Sequence, residues 1–375
     1  MGAQQHSQTR GESQQPRGIA NLKLKGLISM KDAKHKPFIT MTDLRKTKFP
    51  ESNWVVADLL RTGLRRPSLL VAKPETGKST LARQLVVAVS QGKPFLGRTT
   101  TRGAVVYWQT EDEVKDVLNA FNRLGSTDGD EQIYVLQDDP DSSGCSDLVA
   151  QLEEDQKINL VVIETLDDLL KISDIKENTA ARTAFDKFNT QLMIPFGHRA
   201  GFLALHHMKK TETNFAGDSL LGASTIRGRT DAKIYMAQVS PDDERRLIWS
   251  SKRVGRAIPK TFLVFDPTTG KSELGETIAD ATRNAREAEQ EADRSKLFNI
   301  LLQHPDIEHA ELLKHLDGMQ QARKLRLIRD EVLNNSITRS GKGVRGSPLR
   351  YSLAGVPSED ALLILADKEV SNALQ

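Results

Sequence analysis

The stretch Ala72-Lys73-Pro74-Glu75-Thr76-Gly77-Lys78-Ser79 decides how the rest of the chain is read. An apolar run, Ser68-Leu69-Leu70-Val71, precedes it. Thr80-Leu81-Ala82-Arg83-Gln84-Leu85-Val86-Val87-Ala88-Val89 follows with the spacing of a helix. A strand, a tight loop ending in Gly-Lys-Ser, and a helix make the phosphate-binding P-loop. Backbone N–H groups of such a loop converge on an anion, and the positive end of the next helix reinforces them. Gly77 lets the backbone approach closely, Lys78 reaches the β- and γ-phosphates of ATP, and the Ser79 hydroxyl ligates Mg²⁺. Ala72, Lys73, Pro74, Glu75, Thr76, Gly77, Lys78, Ser79 and Thr80 are the expected nucleotide cradle. Ala72 stands where glycine is usual, and no second glycine lies inside the loop. The competing reading is an ordinary turn that happens to spell Gly-Lys-Ser, and the flanking strand and helix count against it.

Composition bounds the class. The 375 residues leave room for two or three domains with one large core. A hydrophobic fraction of 38% fits a globular body that carries polar tails. The net charge is only +3, yet residues 1–48 hold ten Lys/Arg against three Asp/Glu. A single cysteine, Cys145, excludes an internal disulfide framework and suits a reducing cytoplasm. No apolar stretch approaches the ~18 residues needed to span a bilayer, and the start is too polar for a signal peptide. The expectation is a cytoplasmic protein without a membrane partner.

Residues 1–20, rich in Gln, Ser, Gly and Arg, cannot bury a core and read as disordered. The rest of the basic arm, to residue 48, fits contact with nucleic acid, a solvated tail, or a packing arm for a neighbouring subunit. Trp54 to Leu60 reads as a short helix, with Trp54 either a core anchor or a stacking platform near the nucleotide. Strands are expected at 104–108, 132–136, 159–163 and 201–207, with helices between them. Further apolar runs lie at 233–237, 247–250 and 261–265. Near-continuous apolar strands with intervening helices predict an α/β fold, a mainly parallel sheet covered on both faces. The later strands would form an antiparallel edge. The expected division is a basic arm (1–48), an ATPase domain (49–270), a helical linker (271–292), a winged helix (293–354) and a tail (355–375).

The C-terminal part is patterned differently. A long helix over 277–303, a second over 308–316 and a third over 320–335 precede two short strands, Ile337-Thr338-Arg339 and Leu349 to Leu353, around a glycine-rich loop. That order spells a winged helix-turn-helix. Its third helix carries Arg323, Lys324, Arg326 and Arg329, and the wing carries Arg339, Lys342, Arg345 and Arg350. Such a helix commonly lies in the major groove of duplex DNA. The competing reading is a winged helix used for protein contacts.

Hydrolysis needs a water-orienting group and a metal-side acid beside the P-loop. Trp108-Gln109-Thr110-Glu111-Asp112 ends the strand after the P-loop helix, and Glu111 is the candidate general base. Thr110 and Glu113 also spell a capping box, which would make Asp112 a first-turn acid. Glu164 closes Leu160-Val161-Val162-Ile163, a pattern of four apolar residues and an acid that fits a Mg²⁺-side carboxylate, although aspartate is usual there. Asp167 and Asp168 just beyond are alternatives or simply solvated. His206-His207-Met208-Lys209-Lys210 brings polar groups to the same edge. Adjacent histidines on a strand point to opposite faces, which argues against a shared zinc. His207 is the candidate γ-phosphate sensor.

Assembled in this order, the motifs over about 50–265 resemble the RecA-like AAA-family ATPases of the plasmid and phage RepA helicase group, more distantly DnaB. The likeness continues through Leu221 to Gly228 and Ser251-Lys252-Arg253-Val254-Gly255. It implies a RecA-like P-loop NTPase core with ATP and Mg²⁺ as cofactors. It implies Lys78 and Glu111 as catalytic residues, Glu164 with Ser79 at the metal, and His207 as sensor. Arg253 would reach a neighbouring subunit's γ-phosphate, with Arg227 and Arg229 as further candidates. Ser251 stands where a lysine is common, and Lys252 is its possible substitute. The resemblance further implies a homo-oligomeric ring, commonly a hexamer, with single-stranded DNA through its centre. Duplex DNA on the winged helix and other replication proteins complete the expected partners. An ATP-switched regulator or loader without unwinding, or a recombination ATPase forming filaments, are the alternatives.

Overall fold

The computed structural model describes residues 40–46, 54–62, 66–109, 111–126, 132–137, 145–155, 157–166, 183, 185–208, 229–240, 242–252 and 254–355. Two compact units divide the chain, Met1–Glu51 and Ser52–Gln375. In the first, the described part is a short helix α1 (Met41–Lys46) that buries no residue. Thr40 caps it, its hydroxyl accepting from the Asp43 N–H at 3.1 Å. The remaining basic arm lies outside the described residues.

The second unit opens with β1 (Trp54–Val56) and β2 (Leu60–Arg61), an antiparallel pair where the apolar run suggests a short helix. Val55 and Val56 favour extended backbone, and Asp58 takes a left-handed φ of 54° to turn the chain. Trp54 is an anchor against the Gly255 turn, where any Cβ would come within 2.8 Å of its ring. It lies at the base of the sheet, away from the P-loop: Val55 beside it meets Gly201 at the start of a central strand.

That sheet is the frame. Its strands are β3 (Ser68–Ala72), β4 (Ala104–Gln109), β5 (Ile133–Leu136), β6 (Ile158–Glu164), β7 (Gly201–His207), β8 (Lys233–Gln238), β9 (Arg246–Ser251), β10 (Thr261–Asp266) and β11 (Lys271–Thr277). Their order is β11-β10-β9-β8-β3-β7-β6-β4-β5. From β5 to β8 neighbours run parallel, and β8 through β11 form an antiparallel meander. β3 and β4 are buried at every position, as strands covered on both faces must be. One face packs on α2 (Lys78–Gln91) and α3 (Val114–Arg123) through Leu70, Val105, Tyr107, Leu160, Val162 and Leu205. The other packs on α4 (Cys145–Glu154) and a π-helical turn, Asn189–Met193, that runs into a helical turn, Ile194–Phe196. This is the expected α/β sheet with an antiparallel edge. One element differs: β11 occupies the first residues of the stretch expected as a helical linker. Its polar sequence hides it, yet it pairs with β10, and Gln84 of α2 clamps it by bonding both the Ser272 carbonyl at 2.9 Å and its N–H at 2.8 Å.

Beyond it, α5 (Ile278–Gln303) is capped by Thr277, whose side chain accepts from the Asp280 N–H. Then come β12 (Ile307–Glu308), α6 (His309–His315), α7 (Gln321–Leu333), β13 (Ile337–Ser340) and β14 (Arg350–Leu353). The three strands form an antiparallel sheet in the order β12-β14-β13. A separate core holds these elements, with Leu297, Leu301, Leu312, Leu316, Ile337 and Tyr351 buried within it. The hairpin loop needs glycine at 341, where φ is 83° and a Cβ would lie 1.9 Å from the Pro348 carbonyl oxygen. The expected basic surface is smaller than the sequence suggests. Arg323 pairs with Glu289 and Asp293 of α5, Lys324 donates to the Leu313 carbonyl at 2.6 Å, and Arg350 pairs with Asp306 and Glu308. Arg326, Arg329, Arg339, Lys342 and Arg345 stay exposed, Arg329 beside Asp330 at 3.1 Å. Among the described residues no helix is long and apolar enough to cross a membrane.

Candidate functional site

The parallel strands set the site by their register. Ala72 at the end of β3 pairs with His207 at the end of β7, and Gln109 of β4 pairs with Glu164 of β6. The P-loop, His207, Glu164 and the start of the Glu111 turn therefore share one carboxyl edge of the sheet, where ligands of open α/β sheets collect. Alternation finishes the placement. Leu160, Val162 and Glu164 share the α2 face of β6, and Leu203, Leu205 and His207 share that face of β7. His206 points to the opposite side and is fully buried.

In the loop, Ala72 is still strand and fully buried, so its methyl group fills the core where glycine is usual. Glu75 takes φ 62° in place of the missing internal glycine, and Gly77 takes φ 94° at the N-cap of α2. A left-handed non-glycine costs about 1–3 kcal/mol and persists where surrounding structure fixes it; here Thr76 braces the turn by donating to the Lys73 carbonyl at 2.8 Å. No side chain caps α2. The first amides of a fourteen-residue helix are thus left for an anion. Lys78 is 6% exposed, its ammonium donating to the Lys73 carbonyl at 3.3 Å and to His207 Nδ1 at 3.4 Å. An ammonium has no acceptor, so Nδ1 must accept. A buried ammonium held at the start of α2, beside the loop amides, is placed to meet a phosphate.

Glu164 is 4% exposed. The Ser79 hydroxyl donates to its Oε1 and the Tyr107 hydroxyl to its Oε2. A hydroxyl and a carboxylate in contact beside a phosphate cradle are the hard oxygen donors that Mg²⁺ takes. Glu164 fits the metal-side role, and the Glu164–Thr165 peptide bond is cis.

Sequence reasoning missed the layer behind it. Arg83 of α2 donates from Nε to the Tyr107 oxygen at 3.0 Å and from its terminal nitrogen to Asp112. Burial first, and then the Glu164 carboxylate, hold the Tyr107 hydroxyl far above the ordinary phenol range, so it stays a proton donor. Burial weighs against the charge on Arg83, but Tyr107, Asp112 and Glu164 outweigh it and raise its pKa. Two signals were available: an arginine among the mostly apolar residues of α2, and a tyrosine inside a buried strand whose hydroxyl must find a partner.

The turn after β4 corrects the capping reading. α3 starts at Val114 with Glu113 as its N-cap, so Asp112 precedes the helix and pairs with Arg83. Gln109 fixes the turn, its Oε1 accepting from the Asp112 N–H at 2.8 Å and its Nε2 donating to the Asp112 carbonyl at 3.1 Å. Glu111 sits exposed on this clamped turn.

The remaining candidates divide. Thr110, Asp167, Asp168, Arg227 and Arg253 lie outside the described residues. Arg229 pairs with Asp186. Ser251 pairs with Lys233, level with the first half of β3, so β9 ends at the sheet edge opposite the P-loop. Lys252 donates to the Asp58 carbonyl and lies 5.9 Å from the Trp54 ring, which ties it to the base hairpin. Burial, with Arg98 nearby, lowers its pKa.

No curated protein matches the sequence. Residues 31–213 match the family model of an AAA domain, a span that takes in the P-loop, Glu111, Glu164 and His207 and marks this part of the chain as similar to the P-loop ATPases.

Proposed function

We propose that the protein is a Mg²⁺-dependent ATPase that acts on DNA in plasmid- or phage-type replication as a ring-forming helicase of the RepA kind. The observation that carries the ATPase reading is the convergence of Lys78, Ser79, Glu164 and His207 at one sheet edge. Lys78 and the α2 amides take up charge on the triphosphate, and His207 sits where it senses the terminal phosphoryl group. Glu111 receives the proton of the attacking water. Mg²⁺, held by Ser79 and Glu164, supplies charge neutralisation on the phosphate oxygens when bound.

The arginine needed to complete such a site comes from a neighbouring protomer. β9 ends at Ser251, two residues before Arg253 in the sequence, on the edge opposite its own P-loop, which favours action in trans and hence head-to-tail association. A hexameric ring with single-stranded DNA through it is the form this reading takes. The elements from α5 to β14 are read as a winged helix that holds duplex DNA through Arg326, Arg329, Arg339, Lys342 and Arg345. That exposed cationic set also favours a second reading, an ATP-switched regulator or loader that binds duplex without unwinding it. Strand displacement decides between them. With a forked duplex, ATP and Mg²⁺, the expected result is DNA-stimulated hydrolysis with release of the displaced strand. Tight duplex binding with stimulated hydrolysis but no released strand favours the regulator.

A further inference from the structure

We propose that Tyr107 and Arg83 form a positioning relay that lets a glutamate serve at the end of β6 and ties that carboxylate to the turn bearing Glu111. Glutamate carries one more rotatable bond than aspartate, so its carboxylate needs an outside constraint to hold one orientation. Here both oxygens are held, Oε1 by the Ser79 hydroxyl and Oε2 by the Tyr107 hydroxyl. Tyr107 is itself immobile: it is fully buried, and its ring meets Phe121 of α3 edge-on with centroids 5.5 Å apart. The hydroxyl gives its single proton to Glu164, and its oxygen accepts from Arg83 Nε at 3.0 Å. Arg83 then reaches Asp112, one residue past Glu111, where Gln109 clamps the backbone from the other side. One continuous chain of bonds thus runs Ser79, Glu164, Tyr107, Arg83, Asp112, joining the metal-side acid to the turn of the candidate base. Its guanidinium also places a positive charge behind two carboxylates, which a buried acid requires. Partners of this kind orient metal ligands, and their loss typically lowers metal affinity about 10–100-fold.

The proposal rests on the nucleotide-site reading, and the test separates the two. Binding of a fluorescent ATP analogue to the full chain is titrated with Mg²⁺, without reference to turnover. Tyr107→Phe keeps the ring against Phe121 and removes only the hydroxyl. It is expected to raise the Mg²⁺ concentration for half-maximal effect by about 10–100-fold while metal-free analogue binding stays as in the wild type. Tyr134→Phe, which loses a hydroxyl bonded to Asp155 at 2.8 Å on β5, is expected to leave the titration unchanged. Thermal unfolding in chelator checks that each variant folds. Should Tyr107→Phe not fold, Arg83→Lys, which keeps the charge but cannot hold both Tyr107 and Asp112, is read the same way. A Mg²⁺ titration of Tyr107→Phe or of Arg83→Lys that matches the wild type overturns the relay. A wild type that takes up no analogue with or without Mg²⁺ overturns the nucleotide reading instead.

Discussion

Replacing Lys78 with alanine is expected to lower ATP hydrolysis by about 10²–10³-fold, the usual cost of removing one preorganised donor to developing charge. The expectation follows from where the ammonium sits. It is nearly fully buried, and its contacts with the Lys73 carbonyl and His207 hold it at the start of α2, where the phosphates would sit. The folded state should tolerate the change well. Alanine is a good helix former at the first residue of α2. Steady-state hydrolysis and thermal unfolding without nucleotide are the two measurements. A large loss of rate with little change in unfolding temperature is the expected pair, and an unchanged rate contradicts the placement of the phosphates at this loop.

Glu111→Gln is expected to lower the rate by about 10²–10⁴-fold, the range for loss of a general base, while ATP binding stays near the wild-type level. Glutamine keeps the shape of the side chain on the exposed turn and removes its capacity to accept a proton. Gln109 and Arg83 hold the turn through Asp112. Single-turnover hydrolysis separates the cases: slow chemistry on a fully bound nucleotide supports the base, and weakened binding with a normal chemical step assigns Glu111 to the binding of substrate.

How much of this was legible before the structure differs by element, for physical reasons. The P-loop and the strands β3, β4, β6 and β7 read directly because strands buried on both faces are apolar almost without interruption, and here turn residues and helix-spaced segments bound each short run. The run from Trp54 to Leu60 has no period that separates helix from strand, and the turn at Asp58 is fixed by distant groups such as Lys252. β11 shows only Ser272 buried among polar residues, so its pairing with β10 and Gln84 had to be seen. The basic helix α7 misled in the opposite way. Spacing cannot show that Arg323 turns back onto Glu289 and Asp293, thirty or more positions earlier in the chain. At the site, the departures at Ala72 and Glu164 looked like weaknesses. Each has a local compensation: a strand position that accepts a methyl group, and a tyrosine that holds the longer acid.

Equilibrium titration of the purified chain with ATP, with and without Mg²⁺, tests the site most directly. Saturable uptake of one nucleotide per chain, strengthened by Mg²⁺ and lost in Lys78→Ala, is the predicted result. Failure of the wild-type chain to take up ATP in the presence of Mg²⁺, or uptake that Lys78→Ala leaves intact, contradicts it.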